Sequence, residues 1–336
     1  MALSIKGAGS LLVRIPTALF PIALGLAGLA AVARAAAEAM TQFELSLLSE
    51  ILLGLAGGML AIDVSLYLVK LVWRRREVVD DIAMATSANL LAPGLMAGMV
   101  IGGLSAQTWP GGAQLWLIAS IGHLLLLLGF VGRWLTHDYP PEDLNPTWFL
   151  PAAGIMTSAL TWPDYGPIVF PMFTLGAGLM VWVMLLPLVF RRLVFEPAVA
   201  AKLRPTLFIV AAPFGLSAGA LMTLFPDLAW PVPFLLLSGG AFVILALIFQ
   251  LRFIAAAGIS LSWWATTFPV AVVATGFIRL GDAAGSLATS LGLGLFAVSC
   301  LTTSIALIAT IRTAWCTCAK TVARAEQEIE AMQGRT

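Results

Sequence analysis

The chain has 336 residues, of which 60% are hydrophobic and 10% charged, against roughly 25% charged in a soluble domain. A water-soluble fold of this length has no core large enough to hide so much apolar surface, so lipid is the solvent that the composition implies. A net charge of +1 says little about partners, and the three cysteines, Cys300, Cys316 and Cys318, cannot build a disulfide framework or a tetrahedral zinc site.

At the start of the chain, Lys6 and Arg14, an apolar run and Ala-Val-Ala before Arg34 imitate a secretory signal. Pro16 and Pro21 interrupt the run, and its length suits a complete crossing, so it is read as a retained first helix. Windows of about 20 residues, the length that spans a 30 Å hydrocarbon core, then give ten predicted spans: 15–37, 44–73, 82–106, 112–135, 146–162, 166–190, 204–225, 229–251, 258–280 and 284–315. Strict alternation of polar and apolar residues is missing, so these are helices and not barrel strands. With the N-terminus inside, every lysine and arginine except Arg34 and Arg279 falls on the cytoplasmic side. The positive-inside rule therefore puts both termini in the cytoplasm of a multi-pass cell-membrane (plasma or inner-membrane) protein. Residues 1–318 form one transmembrane domain, and residues 319–336, with Arg324, Glu326, Glu328 and Glu330, form a helix-prone cytoplasmic tail.

Each odd-numbered span contains an internal proline: Pro21, Pro93, Pro151, Pro213 and Pro269, at separations of 56 to 72 residues. This loose period matches one helical hairpin and predicts an all-α membrane fold of five tandem hairpins. Proline bends a helix and frees a carbonyl, which hydrocarbon tolerates only where protein or water covers it. Five bent helices facing a common axis supply such cover, and the positive ends of their second halves favour anions there. The alternative is the general tolerance of transmembrane helices for proline. Gly25, Gly28, Gly94, Gly98, Gly154, Gly215, Gly219 and Gly276 accompany the breaks, either to keep a pore wide or to let backbones approach.

Asp63 and His123 are ionisable groups inside spans, which makes them functional candidates. Both sit on even helices, where structural hydrogen bonding is the favoured reading, Asp63 with Lys70 or Tyr67. Phosphate loops, metalloprotease motifs and nucleophile elbows do not occur, so neither an enzyme nor a metal or other cofactor is expected. In the ninth span, Ser262-Trp263-Trp264-Ala265-Thr266-Thr267-Phe268-Pro269 puts a bulky ring just before the break. Phe268 is placed to plug a narrow conduit by hydrophobic occlusion, or else to pack between helices.

That segment resembles the Ala-Trp-Trp-Ala-Tyr-Thr-Phe-Pro pattern of the family of plant slow anion channels, bacterial tellurite-resistance proteins and fungal malate or sulfite permeases. Asn145-Pro146-Thr147-Trp148-Phe149-Leu150-Pro151, Leu203-Arg204-Pro205 with Ala211-Ala212-Pro213, Ile22-Ala23-Leu24-Gly25-Leu26 and Leu91-Ala92-Pro93 are similar to its other blocks. The resemblance implies ten helices, odd helices around a pore in each protomer, a homotrimer, and passive permeation of small anions. It also implies a phenylalanine gate at Phe268, with the aliphatic Leu91 where plant members carry a second ring. The chain departs from its relatives at Val78-Val79-Asp80-Asp81-Ile82, before the third span.

The function expected is a channel for chloride and nitrate, shaped by Pro21, Pro93, Pro151, Pro213, Pro269, Gly25 and Gly154. Thr17, Ser217 and Thr267 are its expected polar lining. With no fixed cation foreseen on the inner faces of the odd helices, selectivity is expected to follow ease of dehydration. The alternative on the same scaffold is a secondary transporter for C4-dicarboxylates, sulfite or tellurite.

Overall fold

The computed structural model describes residues 19–83 and 88–333, and every regular element among them is helical. In chain order these are α1 (Phe20–Met40), α2 (Phe43–Trp73), α3 (Arg75–Ala83), α4 (Ala92–Ser105), α5 (Gly112–Thr136), α6 (Phe149–Ala153) and α7 (Met156–Leu160). They continue with α8 (Val169–Phe195), α9 (Ala212–Leu224), α10 (Pro231–Phe249), α11 (Leu251–Ile254), α12 (Trp264–Ala284) and α13 (Ser286–Gln333). Tighter 3₁₀ stretches at Pro146–Trp148, Ala201–Ala211 and Leu261–Trp263 lead into α6, α9 and α12.

Eight of these segments are long and apolar enough to cross a bilayer. The predicted third and fifth spans depart from that rule. The third is the 14-residue α4: Pro93 is accommodated only in a first turn, and the Trp109-Pro110-Gly111 turn closes the other end. The fifth is split into two five-residue helices, α6 and α7, at Gly154-Ile155. Span-length windows of hydropathy do not register either break, because the interrupting residues are themselves apolar.

Two layers follow from burial. In the apolar stretches of α1, Ala201–Leu224 and Leu261–Ala284, 83%, 72% and 78% of residues are buried, whereas α2, α5, α8, α10 and α13 range from 22% to 39%. The inner layer is rich in alanine and glycine. Large apolar side chains such as Leu55, Leu125, Val183, Phe242, Phe249 and Ile311 instead point outward from the second layer. An apolar exterior on this scale is what a bilayer solvates and water does not. Inner segments contact one another in a closed ring: α1 on α4, α4 on α7, α7 on α9, α9 on α12, and α12 back on α1. Outside the ring, α2 packs on α1, α5 on α4, α10 on α9 and α13 on α12.

Candidate functional site

The ring encloses two cavities in series. The first, about 440 Å³, is lined from all five inner segments, by Pro21, Pro93, Gly154, Ala212 and Pro269 among others, and its charged residue is Lys202. Three of the five prolines, Pro21, Pro93 and Pro269, face it directly. Thr147, Ile209 and Ala265, four positions before Pro151, Pro213 and Pro269, also line it. A proline cannot serve the carbonyl four positions before it; the 3₁₀ turns supply other donors, the N–H of Ala212 to the Ile209 carbonyl and that of Phe149 to the Thr147 carbonyl. The α-helical portions of four inner segments begin at this level, with Pro21, Pro93, Ala212 and Trp264 at the cavity wall. Helix starts carry partial positive charge.

The second cavity, about 310 Å³, is lined by Gly28, Ala31 and Ala35 of α1, Gly103 of α4, Leu160 of α7, Thr223 of α9, and Val272 and Thr275 of α12. Arg34, Glu38 and Arg279 also line it. Phe268 lines both cavities. The residue is 5% exposed and packs against the bare backbone of α1. A Cβ added to Gly28 would lie 3.0 Å from Phe268 Cδ2.

Hydrogen bonds fix the weak segments. Asn89 Nδ2 donates to Thr147 Oγ1 at 3.0 Å, joining the starts of the third and fifth segments, and Thr161 Oγ1 donates to the carbonyl of Met99 at 3.1 Å, joining their far ends. Trp116 Nε1 donates to the Ser158 carbonyl at 3.0 Å. Fully buried His123 holds the Pro151 carbonyl at 3.2 Å through Nε2, which must carry the proton, since a carbonyl only accepts. His123 is thus structural, as its place on an outer helix suggested. Asp63 is different. It is 3% exposed, and neither carboxylate oxygen has a hydrogen-bond partner among the described residues. The expected hydrogen bond from Lys70 or Tyr67 to Asp63 is not formed.

Of the other predicted site residues, Gly154 faces the first cavity, while Pro151 and Pro213 are buried in the wall and line neither. Gly25 serves a helix contact, since a Cβ there would run into Thr267 Oγ1 and lie 2.6 Å from Trp264 Cε3. Thr267 and Ser217 are buried and spend their protons on the carbonyls of Trp264 and Phe214. Leu91 lines neither cavity, and its neighbour Leu90 lines the first. Thr17 lies outside the described residues.

One expectation needs correction. The inner segments do carry fixed cations on the path: Arg34 on α1 and Arg279 on α12 both line the second cavity. At the ends of hydropathy windows they read as loop charges. Their spacing along the helix carried the missing signal. Phe268, Val272, Thr275 and Arg279 recur every three or four residues and so share one face.

An apolar exterior and a ring of inner helices around two internal spaces, both lined by Phe268, are the features of a polytopic helical membrane protein. The chain belongs to the SLAC1 family, described as voltage-dependent anion channel, whose pattern matches residues 14–313. It is also similar to the S-type anion channel SLAH2 of Arabidopsis thaliana, 26% identical over 183 residues, covering 53% of this chain and 35% of that one. The match thus spans about a third of the plant protein's length.

Proposed function

We propose that the protein is a passive channel for small monovalent anions, chloride and nitrate among them, obstructed at rest by Phe268. Ten spans in five tandem hairpins surround the path, three copies assemble side by side, and both termini lie in the cytoplasm. The single observation that carries the reading is that one side chain, Phe268, borders both cavities. An ion crossing between them has to pass its ring, and a ring offers no replacement for lost water. Weakly hydrated anions therefore pass more readily than sulfate or phosphate. Membership of the anion-channel family supports the same substrate class.

The test is electrical. In reconstituted bilayers Phe268→Ala is expected to raise anion conductance at least several-fold, with Phe268→Leu between the two. Conductance of Phe268→Ala no greater than wild type removes the plug.

The buried carboxylate of Asp63, without a hydrogen-bond partner among the described residues, favours a second reading, a proton-coupled carrier for C4-dicarboxylates, sulfite or tellurite. Asp63 lines neither cavity, which ranks this reading below the channel. Uptake driven by a pH gradient and lost in Asp63→Asn would reverse the order.

A further inference from the structure

We infer that Arg279 collects anions for the second cavity and that Glu38 opposes it, so that this mouth of the path is tuned by one cation and one carboxylate. The inference rests on the channel reading above and adds the residue that fills the chamber. Phe268, Val272, Thr275 and Arg279 line the cavity from one face of α12, placing Arg279 about 16 Å along the axis from the ring. Small residues of α1 keep the opposite side open, and Glu38 stands at its far end.

Most groups in this lining that could attract a negative charge are already bonded within the protein. Arg34 is committed: Nη2 meets Glu50 Oε1 at 2.7 Å and Nη1 donates to the Leu104 carbonyl at 2.6 Å. Hydroxyl protons are committed too. Thr161 donates to Met99 and Thr157, Thr223 to Leu160, and Thr275 to Ala271, all backbone carbonyls. The indole N–H of Trp162 goes to Tyr165. Arg279 alone in this lining has its guanidinium N–H groups uncommitted among the described residues, and Glu38 is the charge that acts on it. Without Arg279 the chamber would offer an anion mainly apolar surface and oxygen lone pairs.

Arg279 and Glu38 are both exposed at the rim of the cavity, and a cation there raises the local anion concentration. The effect is screened, because the Debye length falls from about 30 Å at 0.01 M to about 3 Å at 1 M salt. That dependence separates collection from a structural role. In planar bilayers bathed in 10 mM KCl, Arg279→Gln is expected to cut chloride current roughly tenfold in one direction only. In 1 M KCl it should match wild type. Arg279→Lys should retain the current, and Glu38→Gln should raise it at low salt. Equal low-salt currents in wild type and Arg279→Gln, or a loss that persists at 1 M, overturn the inference. Should Arg279→Gln not fold, Glu38→Gln decides alone, and no low-salt gain overturns the inference. If neither the wild type nor Phe268→Ala passes any anion, the channel reading and this inference fall together, whereas a conducting protein with indifferent Arg279 and Glu38 variants rejects only the inference.

Discussion

At the scale of single residues, the inner layer depends on side chains that are absent. At Gly25 a single added carbon would meet Thr267 Oγ1 and the Trp264 ring, while Gly54, Gly57 and Gly58 on the outer α2 have nothing within 4 Å. Overpacking a tight contact costs about 1–3 kcal/mol. Gly25→Val is therefore expected to lower the thermal midpoint of detergent-solubilised protein by several degrees, and Gly54→Ala to leave it unchanged or slightly raised. A Gly25→Val protein as stable as wild type would mean that α1 and α12 are not this close. Phe268 was legible in the sequence because an aromatic before a proline break is conspicuous. Gly25 reads in the sequence as a pore-shaping small residue, and its neighbours across the helix contact, Thr267 and Trp264, are not readable from spacing along the chain. Leu90 and Leu91 show the same limit, since a shift of one residue around a helix start turns a side chain by about 100°.

Among elements, the interrupted fifth segment is the most exposed to damage. Two five-residue helices have too few internal hydrogen bonds to stand alone, so their place in the ring comes from outside donors. His123 serves the Pro151 carbonyl and Trp116 the Ser158 carbonyl, both from α5. Leaving a buried carbonyl unserved costs about 1–3 kcal/mol. His123→Leu should lose that much in thermal unfolding, and His123→Gln, which keeps a donor, should recover part of it. Identical stability for His123→Leu and wild type would refute the role. Sequence patterning picks out the prolines of the odd-numbered spans, because prolines are visible one at a time, although Pro187 also lies inside the outer helix α8. It overlooked that α4 and the α6–α7 pair are too short to cross as single straight rods. Alanine, glycine and leucine score as apolar whether or not the chain coils continuously through them.

For the whole molecule, the ring makes a prediction about access. In the proposed orientation Arg34 and Arg279 lie outside and Lys202 inside. The second cavity should then be reached from the exterior and the first from the cytoplasm. With Cys300, Cys316 and Cys318 replaced by serine, a cysteine at Thr275 is expected to react with an impermeant thiol reagent applied to intact cells. A cysteine at Ser262, which lines the first cavity, should react only after permeabilisation. In Phe268→Ala the two patterns should begin to overlap. Labelling of Ser262→Cys but not Thr275→Cys from outside would invert the topology. Composition marks the chain as one that lipid solvates, because hydrocarbon acts on bulk properties of a segment. The closure of the ring from α12 back to α1 depends on contacts between the two ends of the chain, and no local pattern records it.

The bond from Trp264 Nε1 to Thr310 Oγ1, 2.8 Å long, links α12 to the last helix about one turn from Phe268. The same helix continues without a break to Gln333, well past its apolar stretch at Ser286–Cys316. A displacement of residues 317–333 would therefore reach α12 about 6 Å along the axis from Phe268, through continuous helix and a hydrogen bond with no slack loop between them.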